Sequence, residues 1–307
     1  MTVSQRINAS WERDGVSGIF QRSTLYLLRR IAWRTDAWSR NLDHHLAERA
    51  VQRNYGSLLK RNEIFRDRHK GSRCFVIGNG PSLKDQDLSP LADEITLVSN
   101  YFHRHSVISE SWQPKYYFLT DPMYFDGREP IEWIREIVST IHAAPFFVPH
   151  HAREFIDTNH LLPEDRTYYV GMCTGKEDEW SALPDFTTPI PGVQTVVQLA
   201  IMAGMFMGCS TIYLMGLDHN WLSHGGVGIN FYSKEEVKDQ PQGNVAGWDY
   251  KSLMLAMTTM WHVYEMLQRI ARTHGIKIIN VTRGGFLDVF ERADYEKVIE
   301  DKLVTSF

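Results

Sequence analysis

The sequence predicts an α/β fold in which helices cover both faces of a mostly parallel sheet, preceded by an N-terminal helical arm. Two observations support this prediction. From Gly71 onward, short apolar runs rich in Val, Ile, Tyr and Phe alternate with helical stretches, which is typical of strands buried on both faces. The chain has 307 residues and is 43% hydrophobic, so it can bury one large core and still carry an appendage.

The predicted arm occupies residues 1–70, and the predicted main domain occupies residues 71–307. From about Ile19 to Lys70, Leu and Trp residues are interleaved with arginines in a helical pattern. Residues 1–72 carry 14 Lys and Arg and 7 Asp and Glu, a net charge of +7, which leaves −11 of the total of −4 for the other 235 residues. A basic helix within residues 19–70 can lie on an anionic membrane surface. A helix packed on the main domain, or on a second subunit of a homo-oligomer, is the open alternative.

The acidic main domain argues against nucleic acid as a partner. The three cysteines, Cys74, Cys173 and Cys209, form no C-x-x-C pair and lie in or beside apolar segments, a pattern typical of a reducing cytoplasm. No apolar run reaches the roughly 18 to 20 residues that a membrane span needs, and no signal peptide is recognisable. We therefore expect a cytoplasmic protein, held at the inner face of the membrane if the arm binds lipid.

Local patterns predict seven strands and five helices in the main domain. Because ligands of such Rossmann-like sheets bind at the carboxyl ends of the strands, the residues that follow each strand are the candidate site. The strands are Cys74–Ile77, Ile95–Ser99, Tyr116–Thr120, Pro145–Val148, Thr167–Val170, Thr211–Met215 and Lys277–Val281, and the helices begin near Pro130, His151, Gly192, Gly247 and Tyr295.

The first strand leads into a glycine-rich turn, Gly78-Asn79-Gly80-Pro81-Ser82. Its freed backbone N–H groups, with the Asn79 amide and the Ser82 hydroxyl, suit a phosphate or the polar edge of a nucleotide. The turn is neither a Walker A loop, because the G-K-[ST] ending is missing, nor a dinucleotide fingerprint, because the third glycine is missing. A plain Gly-Pro turn without a ligand is the alternative.

Three further segments are expected at the same edge. Asn100 follows the second strand, and Asp121 follows the third, where an Asp-Pro pair can also be simple turn chemistry. Gly192 and Thr195 stand where a long apolar helix opens and runs to about Met207. A helix start of this kind exposes N–H groups at the positive end of the helix dipole, which makes it a second candidate anion site.

The strand Thr211–Met215 delivers the densest group of chemically active side chains. Asp218 and His219 follow it directly, and His224 comes just before Gly225 and Gly226, whose flexibility suits a lid. A histidine near its ordinary pKa is a natural general base for activating a hydroxyl. The alternative is a surface loop with incidental histidines.

Other polar motifs predict no metal site. The D-x-D form of Asp85-Gln86-Asp87 is used by metal-dependent glycosyltransferases, but here it falls where aspartates cap a short helix. His103-Arg104-His105 and His150-His151 have no third ligand nearby in sequence.

Taken together, four segments resemble the MptE-like family, which is named after archaeal 6-hydroxymethylpterin pyrophosphokinases and includes bacterial proteins linked to surface glycosylation. The resemblance spans most of Gly71 to Phe290. The segments are R-C-F-V-I-G-N-G-P-S-L, the T-D-P strand end, I-Y-L-M-G-L-D-H-N-W and I-I-N-V-T-R-G-G-F-L-D-V-F-E-R.

A fainter resemblance extends to bacterial sialyltransferases that use CMP-activated sialic acid without a metal. It implies that the matching positions surround the cytidine nucleotide and its phosphate. The chain departs from that family in lacking its downstream catalytic histidine, so His219 or His224 would have to replace it. The matching positions are Asn79, Gly80, Ser82, Asn100, Gly192 with Thr195 nearby, and Asp218.

The leading hypothesis is a transferase domain that moves a sugar from a nucleotide-sugar donor, with a CMP-sugar favoured, to a cell-surface glycan or lipid-linked acceptor. It needs no resident cofactor, and His219 or His224 would take the acceptor proton beside Asp218. One alternative is a pyrophosphokinase of the pterin type, with Mg²⁺ held by Asp121 and Asp218. Another is a nucleotide-binding protein without turnover.

Overall fold

A computed structural model describes residues 42–173, 180–224, 230–231 and 249–305. The chain divides into two compact units, Met1–Arg49 and Ala50–Phe307. The described part of the first unit, residues 42–49, is helical. Most of the predicted arm, including the start of its helix near Ile19, therefore lies outside the described residues.

The second unit is built on an eight-stranded sheet in which every pairing is parallel, so the predicted fold class is confirmed. Its strand order is β10-β9-β8-β1-β2-β3-β4-β5, and all seven predicted strands belong to it. The strands are β1 Arg73–Ile77, β2 Ile95–Ser99, β3 Tyr116–Phe118, β4 Phe146–Pro149, β5 Thr167–Val170, β8 Thr211–Met215, β9 Lys277–Asn280 and the short β10 Glu291–Arg292.

The strand order reverses beside β1. From β1 the chain builds outward through β2 to β5 on one side, and β8 to β10 occupy the other side. β1 pairs with β8 over its full length and with β2 from Cys74 to Ile77, which places Ile77 opposite Val98 and Met215. In open parallel sheets the crevice outside such a switch point is where ligands bind. The fold therefore places the candidate site above the ends of β1, β2 and β8.

Helices cover both faces of the sheet. Along β1, alternate side chains point to opposite faces, so Cys74 and Val76 enter one core layer and Phe75 and Ile77 the other. The first layer also holds α4 and α5, and the second holds α2, α3 and the start of α6. The helices of this unit are α1 over residues 50–59, α2 Ile131–Thr140, α3 Arg153–Asn159, α4 Val196–Phe206, α5 Tyr250–Thr273 and α6 Tyr295–Thr305.

Residues 50–70, which the sequence assigns to the arm, pack within the unit that holds the sheet. Leu59 and Phe65 are fully buried in the two core layers. The buried Asn62 amide donates 2.8 Å hydrogen bonds to the carbonyls of Tyr169 and Phe186. The division into an arm of residues 1–70 and a domain of residues 71–307 stays a prediction.

Two local differences from the predicted elements matter for the site. The apolar helix α4 begins at Val196, four residues after Gly192, because residues 190–191 form a short strand, β7 Ile190–Pro191, that pairs with β6 Met172–Cys173. The start predicted near Gly247 lies outside the described residues, and α5 is described from Tyr250. Within the part of the chain that the structure describes, no helix combines the length and apolarity needed to cross a bilayer.

Candidate functional site

The turns that follow β1 and β8 form the floor of the candidate site. Gly78 donates its N–H to the carbonyl of Met215 over 2.8 Å, and Gly80 donates its N–H to the carbonyl of Gly216 over 2.9 Å. These bonds extend the pairing of the two strands beyond their ends. The predicted glycine-rich turn therefore lies against the residues that follow β8.

Asp218 bonds directly to this turn. One carboxylate oxygen accepts a 2.8 Å hydrogen bond from the Ser82 hydroxyl, and the other accepts a 3.3 Å bond from the Ser82 N–H. Only 6% of Asp218 is exposed. Burial raises the pKa of its carboxyl, while the bonds from Ser82 and the charge of Arg292 oppose that rise.

Gly80 is required by the closeness of this contact. A Cβ atom added there would lie 1.8 Å from a carboxylate oxygen of Asp218 and 2.6 Å from the carbonyl of Gly216. No side chain fits without moving Asp218 or separating the turns. The G-N-G-P sequence is thus explained by the approach of Asp218 to the backbone of the turn.

The segment after β9 forms hydrogen bonds with the backbone of Leu217 and Asp218. The Thr282 hydroxyl accepts a 3.1 Å hydrogen bond from the N–H of Leu217, and Phe286 donates its N–H to the Asp218 carbonyl over 2.9 Å. Arg292 donates to the carbonyls of Thr282 and Gly284, which keeps the segment folded against the site. This segment is the T-R-G-G-F-L-D motif of the sequence.

Several buried polar atoms at this edge have no hydrogen-bond partner among the described residues. The Asn79 amide nitrogen donates to the Ser99 carbonyl over 3.1 Å, but its oxygen accepts no bond. Asn100, in the left-handed conformation with φ 52°, also leaves its amide oxygen without a partner. The Ser99 hydroxyl and the Asn220 amide oxygen complete the set. Each such atom costs about 1–3 kcal/mol when it stays unpaired.

The N-terminus of α4 faces the same edge. α4 packs across β1 and β2 and leads through a short turn to the start of β8, so its first residues lie near the carboxyl ends of these strands. Thr195 immediately precedes the helix, and the Gln198 side chain accepts from the N–H groups of Gln194 and Thr195. The N–H of Gly192 is not free for a ligand, because it donates to the Cys173 carbonyl over 2.7 Å.

The Asp121 side chain stabilises the turn that it begins, which is the simple turn chemistry expected as the alternative for an Asp-Pro pair. Its side chain accepts a 3.2 Å hydrogen bond from the Met123 N–H and caps the short helical turn Pro122–Tyr124. In the discounted D-x-D motif, Asp87 likewise accepts from the Ser89 N–H over 2.9 Å. Among the described residues, no group of three or more His, Cys, Asp or Glu side chains is arranged to hold a metal ion.

Of the two predicted catalytic histidines, the structure describes the side chain of His219 only. His219 is only 7% exposed, and its Nε2 atom lies 2.8 Å from the Tyr264 hydroxyl. The rings of Trp221 and Trp261 also contact it, and burial lowers its pKa to about 4. These surroundings make His219 a poor candidate for the general base, because its Nε2 atom already lies within hydrogen-bond distance of Tyr264 and its imidazole is weakly basic. The side chain of His224 lies outside the described residues, so its role stays a prediction.

Phe231 closes the site on the side of β2. Its N–H donates a 3.0 Å hydrogen bond to the carbonyl of Asn79, and its ring packs against the rings of Phe102 and His105. Next to it lies an open cleft of 440 Å³ that is not lined by Asn79, Ser82, Asn100 or Asp218. Its lining includes Lys84, Gln86, Ser89, Arg104, Ser106 and Phe231.

Sequence reasoning missed three parts of this site. Phe231 lies far along the chain in a stretch without periodicity, so no local pattern connects it with Asn79. Tyr264 could have been found, because it lies on the buried face of α5 and an enclosed hydroxyl needs a partner. The role of the Thr282–Arg292 segment was signalled by its paired glycines, which both adopt positive φ.

Replacing Gly80 with alanine should destabilise the protein by about 1–3 kcal/mol, because the new methyl group must displace the Asp218 carboxylate from Ser82. Urea unfolding of the variant and the wild type measures this difference. Gly56→Ala in α1 is the control: its methyl group meets the flexible end of Gln52, and the change should stabilise by about 0.5–1 kcal/mol. Equal unfolding midpoints for Gly80→Ala and wild type would refute the close contact.

The free energy of unfolding should depend on His219 at acidic pH. The unfolded imidazole binds a proton near its ordinary pKa of 6.5 and the folded one near 4, so stability is lost as the pH falls from about 6.5 to 4. Relative to His219→Asn, the wild type should lose up to about 1.4 kcal/mol per pH unit in this range. Parallel pH curves for wild type and His219→Asn would contradict the burial of this histidine.

No protein-family model and no curated protein sequence matches this chain. Several solved structures are similar to it at low identity, including three structures of sialyltransferases. The sialyltransferase CstII from Campylobacter jejuni bound to CMP is 16% identical, with a TM-score of 0.43 over 73% of this chain and 85% of that one. A complex of the same enzyme with a trisaccharide acceptor and CMP is 14% identical, with a TM-score of 0.42 over 72% and 85%. The α-2,3-sialyltransferase Cst-I from Campylobacter jejuni is 14% identical, with a TM-score of 0.43 over 72% and 79%.

Proposed function

We propose that this protein is a glycosyltransferase that moves a sugar from a nucleotide-sugar donor to a glycan or lipid-linked acceptor. The nucleotide lies in the crevice above β1, β2 and β8, held by Asn79, Ser82 and Asn100. The resemblance of the G-N-G-P-S-L and G-L-D segments to CMP-dependent sialyltransferases makes a CMP-sugar the first donor to test.

The observation that carries this proposal is the set of unpaired polar atoms at one edge of the sheet. Native proteins seldom leave buried amide oxygens and hydroxyls without partners, and each instance calls for an explanation. Asn79, Ser99 and Asn100 follow or end the two strands next to the switch point, where parallel sheets bind ligands. A polar ligand such as a nucleoside would supply the missing donors.

The charges around the crevice favour a donor with a single phosphate. The N-terminus of α4, at Val196, offers backbone N–H groups and the positive end of a helix dipole to one anionic group. The nearest described ionisable groups do not form a basic clamp: Asp218 is a carboxyl group, and Arg292 is bonded to backbone carbonyls. A triphosphate would need more positive charge than these groups supply.

Asp218 orients the nucleotide-binding turn in this proposal. Its bonds to Ser82 fix the conformation of the turn that follows β1, and the segment around Thr282 fixes Asp218 in turn. Transfer also requires a base that takes the proton of the acceptor hydroxyl. His224, whose side chain lies outside the described residues, is kept as the predicted base.

Removing the unpaired amides should weaken nucleotide binding without harming the fold. Asn79→Ala and Asn100→Gly each delete an amide oxygen that lacks a partner, and glycine tolerates the left-handed backbone of residue 100. Asn100→Gly should leave the unfolding midpoint nearly unaltered, whereas Asn79→Ala should cost about 0.5–1.5 kcal/mol because it also removes the hydrogen bond to the Ser99 carbonyl. We expect each change to weaken CMP binding about tenfold, the effect of one lost hydrogen bond. Calorimetric titration with CMP, with and without Mg²⁺, measures the affinity.

Asn54→Ala, at an exposed position of α1, is the matched control and should bind CMP like the wild type. Failure of the wild type to bind CMP, UDP or GDP would refute the nucleotide-sugar assignment. Mg²⁺-dependent binding of ATP would favour the pyrophosphokinase instead. Binding of CMP without release of CMP from CMP-sialic acid would indicate a nucleotide-binding protein without turnover.

A further inference from the structure

Glu129 is a buried carboxyl that the site described so far does not use. It is 4% exposed, and its Oε1 atom has no hydrogen-bond partner among the described residues. A buried carboxylate without partners is costly, and proteins avoid such groups unless they are protonated or functional. No local pattern in the sequence marks this residue, because its burial depends on the packing of the segment between β3 and α2.

Glu129 lies at the same edge of the sheet as the nucleotide crevice. It precedes α2, which connects the parallel strands β3 and β4 and must therefore begin at their carboxyl edge. Trp133, in the first turn of α2, packs edge-on against Tyr101, with ring centroids 5.5 Å apart. Tyr101 directly follows Asn100, one of the predicted nucleotide-binding residues.

The spacing of the strands sets the distance between the end of β1, where the nucleotide is proposed to bind, and the end of β3. Neighbouring strands are about 4.8 Å apart, so the end of β3 lies roughly 10 Å from the end of β1. A nucleotide bound above β1, β2 and β8 would extend its sugar over this span. Asp121, which follows β3, is near enough to Glu129 for its charge to raise the pKa of that carboxyl. Glu129 therefore lies near the end of β3, on the side toward which such a sugar would extend.

Burial and neighbouring charges together raise the pKa of the Glu129 carboxyl. Burial raises its pKa to about 7, and the neighbouring carboxylates of Asp121 and Asp126 add to the rise. Arg128 opposes the rise, but its guanidinium is bonded to Asp126 at 2.7 Å. A carboxyl that exchanges its proton near neutral pH is suited to acid–base catalysis.

We propose that Glu129 is the catalytic base that accepts the proton of the acceptor hydroxyl, an inference that rests on the proposed glycosyltransferase function. The O–H bond of the acceptor breaks, and its proton passes to the Glu129 carboxylate. The hydroxyl oxygen forms a bond to the anomeric carbon of the donor sugar. The bond between that carbon and the phosphate oxygen breaks, and its electron pair leaves with the nucleotide.

The test compares Glu129→Gln with the wild type. The variant keeps the shape of the side chain and cannot accept the proton, so release of CMP from CMP-sialic acid should fall at least about 100-fold. The dissociation constant for CMP should stay within about twofold, because Glu129 lies away from the nucleotide. Wild-type turnover should rise with pH through about 7 as the carboxyl loses its proton. Glu132→Gln, an exposed change on α2, is the matched control and should retain wild-type turnover.

Stability provides a readout that does not depend on turnover. The unfolded carboxyl ionises near its ordinary pKa of 4.5 and the folded one near 7, so ionisation destabilises the wild type as the pH rises between these values. Glu129→Gln should therefore become progressively more stable than wild type from about pH 4.5 to 7, and the difference should then level off.

Two results would overturn the inference: wild-type turnover in Glu129→Gln, or a stability difference that does not change with pH. Loss of turnover in His224→Ala, with turnover retained in Glu129→Gln, would assign the base to the histidine. Failure of the wild type to bind and release CMP would instead refute the proposed function. The stability measurement would still decide whether Glu129 exchanges its proton near neutral pH.

Discussion

The contact between Asp218 and Ser82 is the constraint on which the site depends. It joins the turns after β1 and β8, the two strands that meet where the strand order reverses. Gly80 is required because any side chain there would overlap the carboxylate, and the segment around Thr282 is required because it holds the backbone of Asp218. A buried carboxylate is stable there only because it accepts two hydrogen bonds.

Around this contact, other buried polar atoms have no hydrogen-bond partner among the described residues. The amide oxygens of Asn79 and Asn100 and the hydroxyl of Ser99 could all be replaced by apolar groups without loss of hydrogen bonds that the structure shows. Their common location outside the switch point fits a site that completes its hydrogen bonding with a ligand. Glu129, which lies between β3 and α2, extends the same argument to an ionisable group.

The strands could be predicted from the sequence because their signals are local. Apolar runs bounded by Gly, Pro and Asn mark them, and parallel topology then brings Asn79, Asn100 and Asp218 to one edge. The start of α4 was misplaced because Pro191 and Gly192 suggest a helix start, whereas pairing of Ile190–Pro191 with Met172–Cys173 delays it. That pairing joins segments distant in sequence and leaves no local signal.

The chemistry of individual side chains was harder to predict than their location. His219 follows β8 as expected, but its left-handed backbone conformation and its contact with Tyr264 direct it into the core. Glu129 was missed for the opposite reason, since its sequence context suggests an exposed loop. Neither environment could be predicted from the sequence, because burial, which shifts the pKa of a side chain, depends on tertiary packing.

Hydrogen–deuterium exchange with and without CMP tests the location of the site most directly. The account predicts slower exchange in the presence of CMP for the turn after β1, residues 78–83, for residues 99–103 after β2 and for the first turn of α4. Protection restricted to the neighbouring cleft, at residues 84–89 and 104–107, or no protection at any of these segments, would contradict a nucleotide site above β1, β2 and β8.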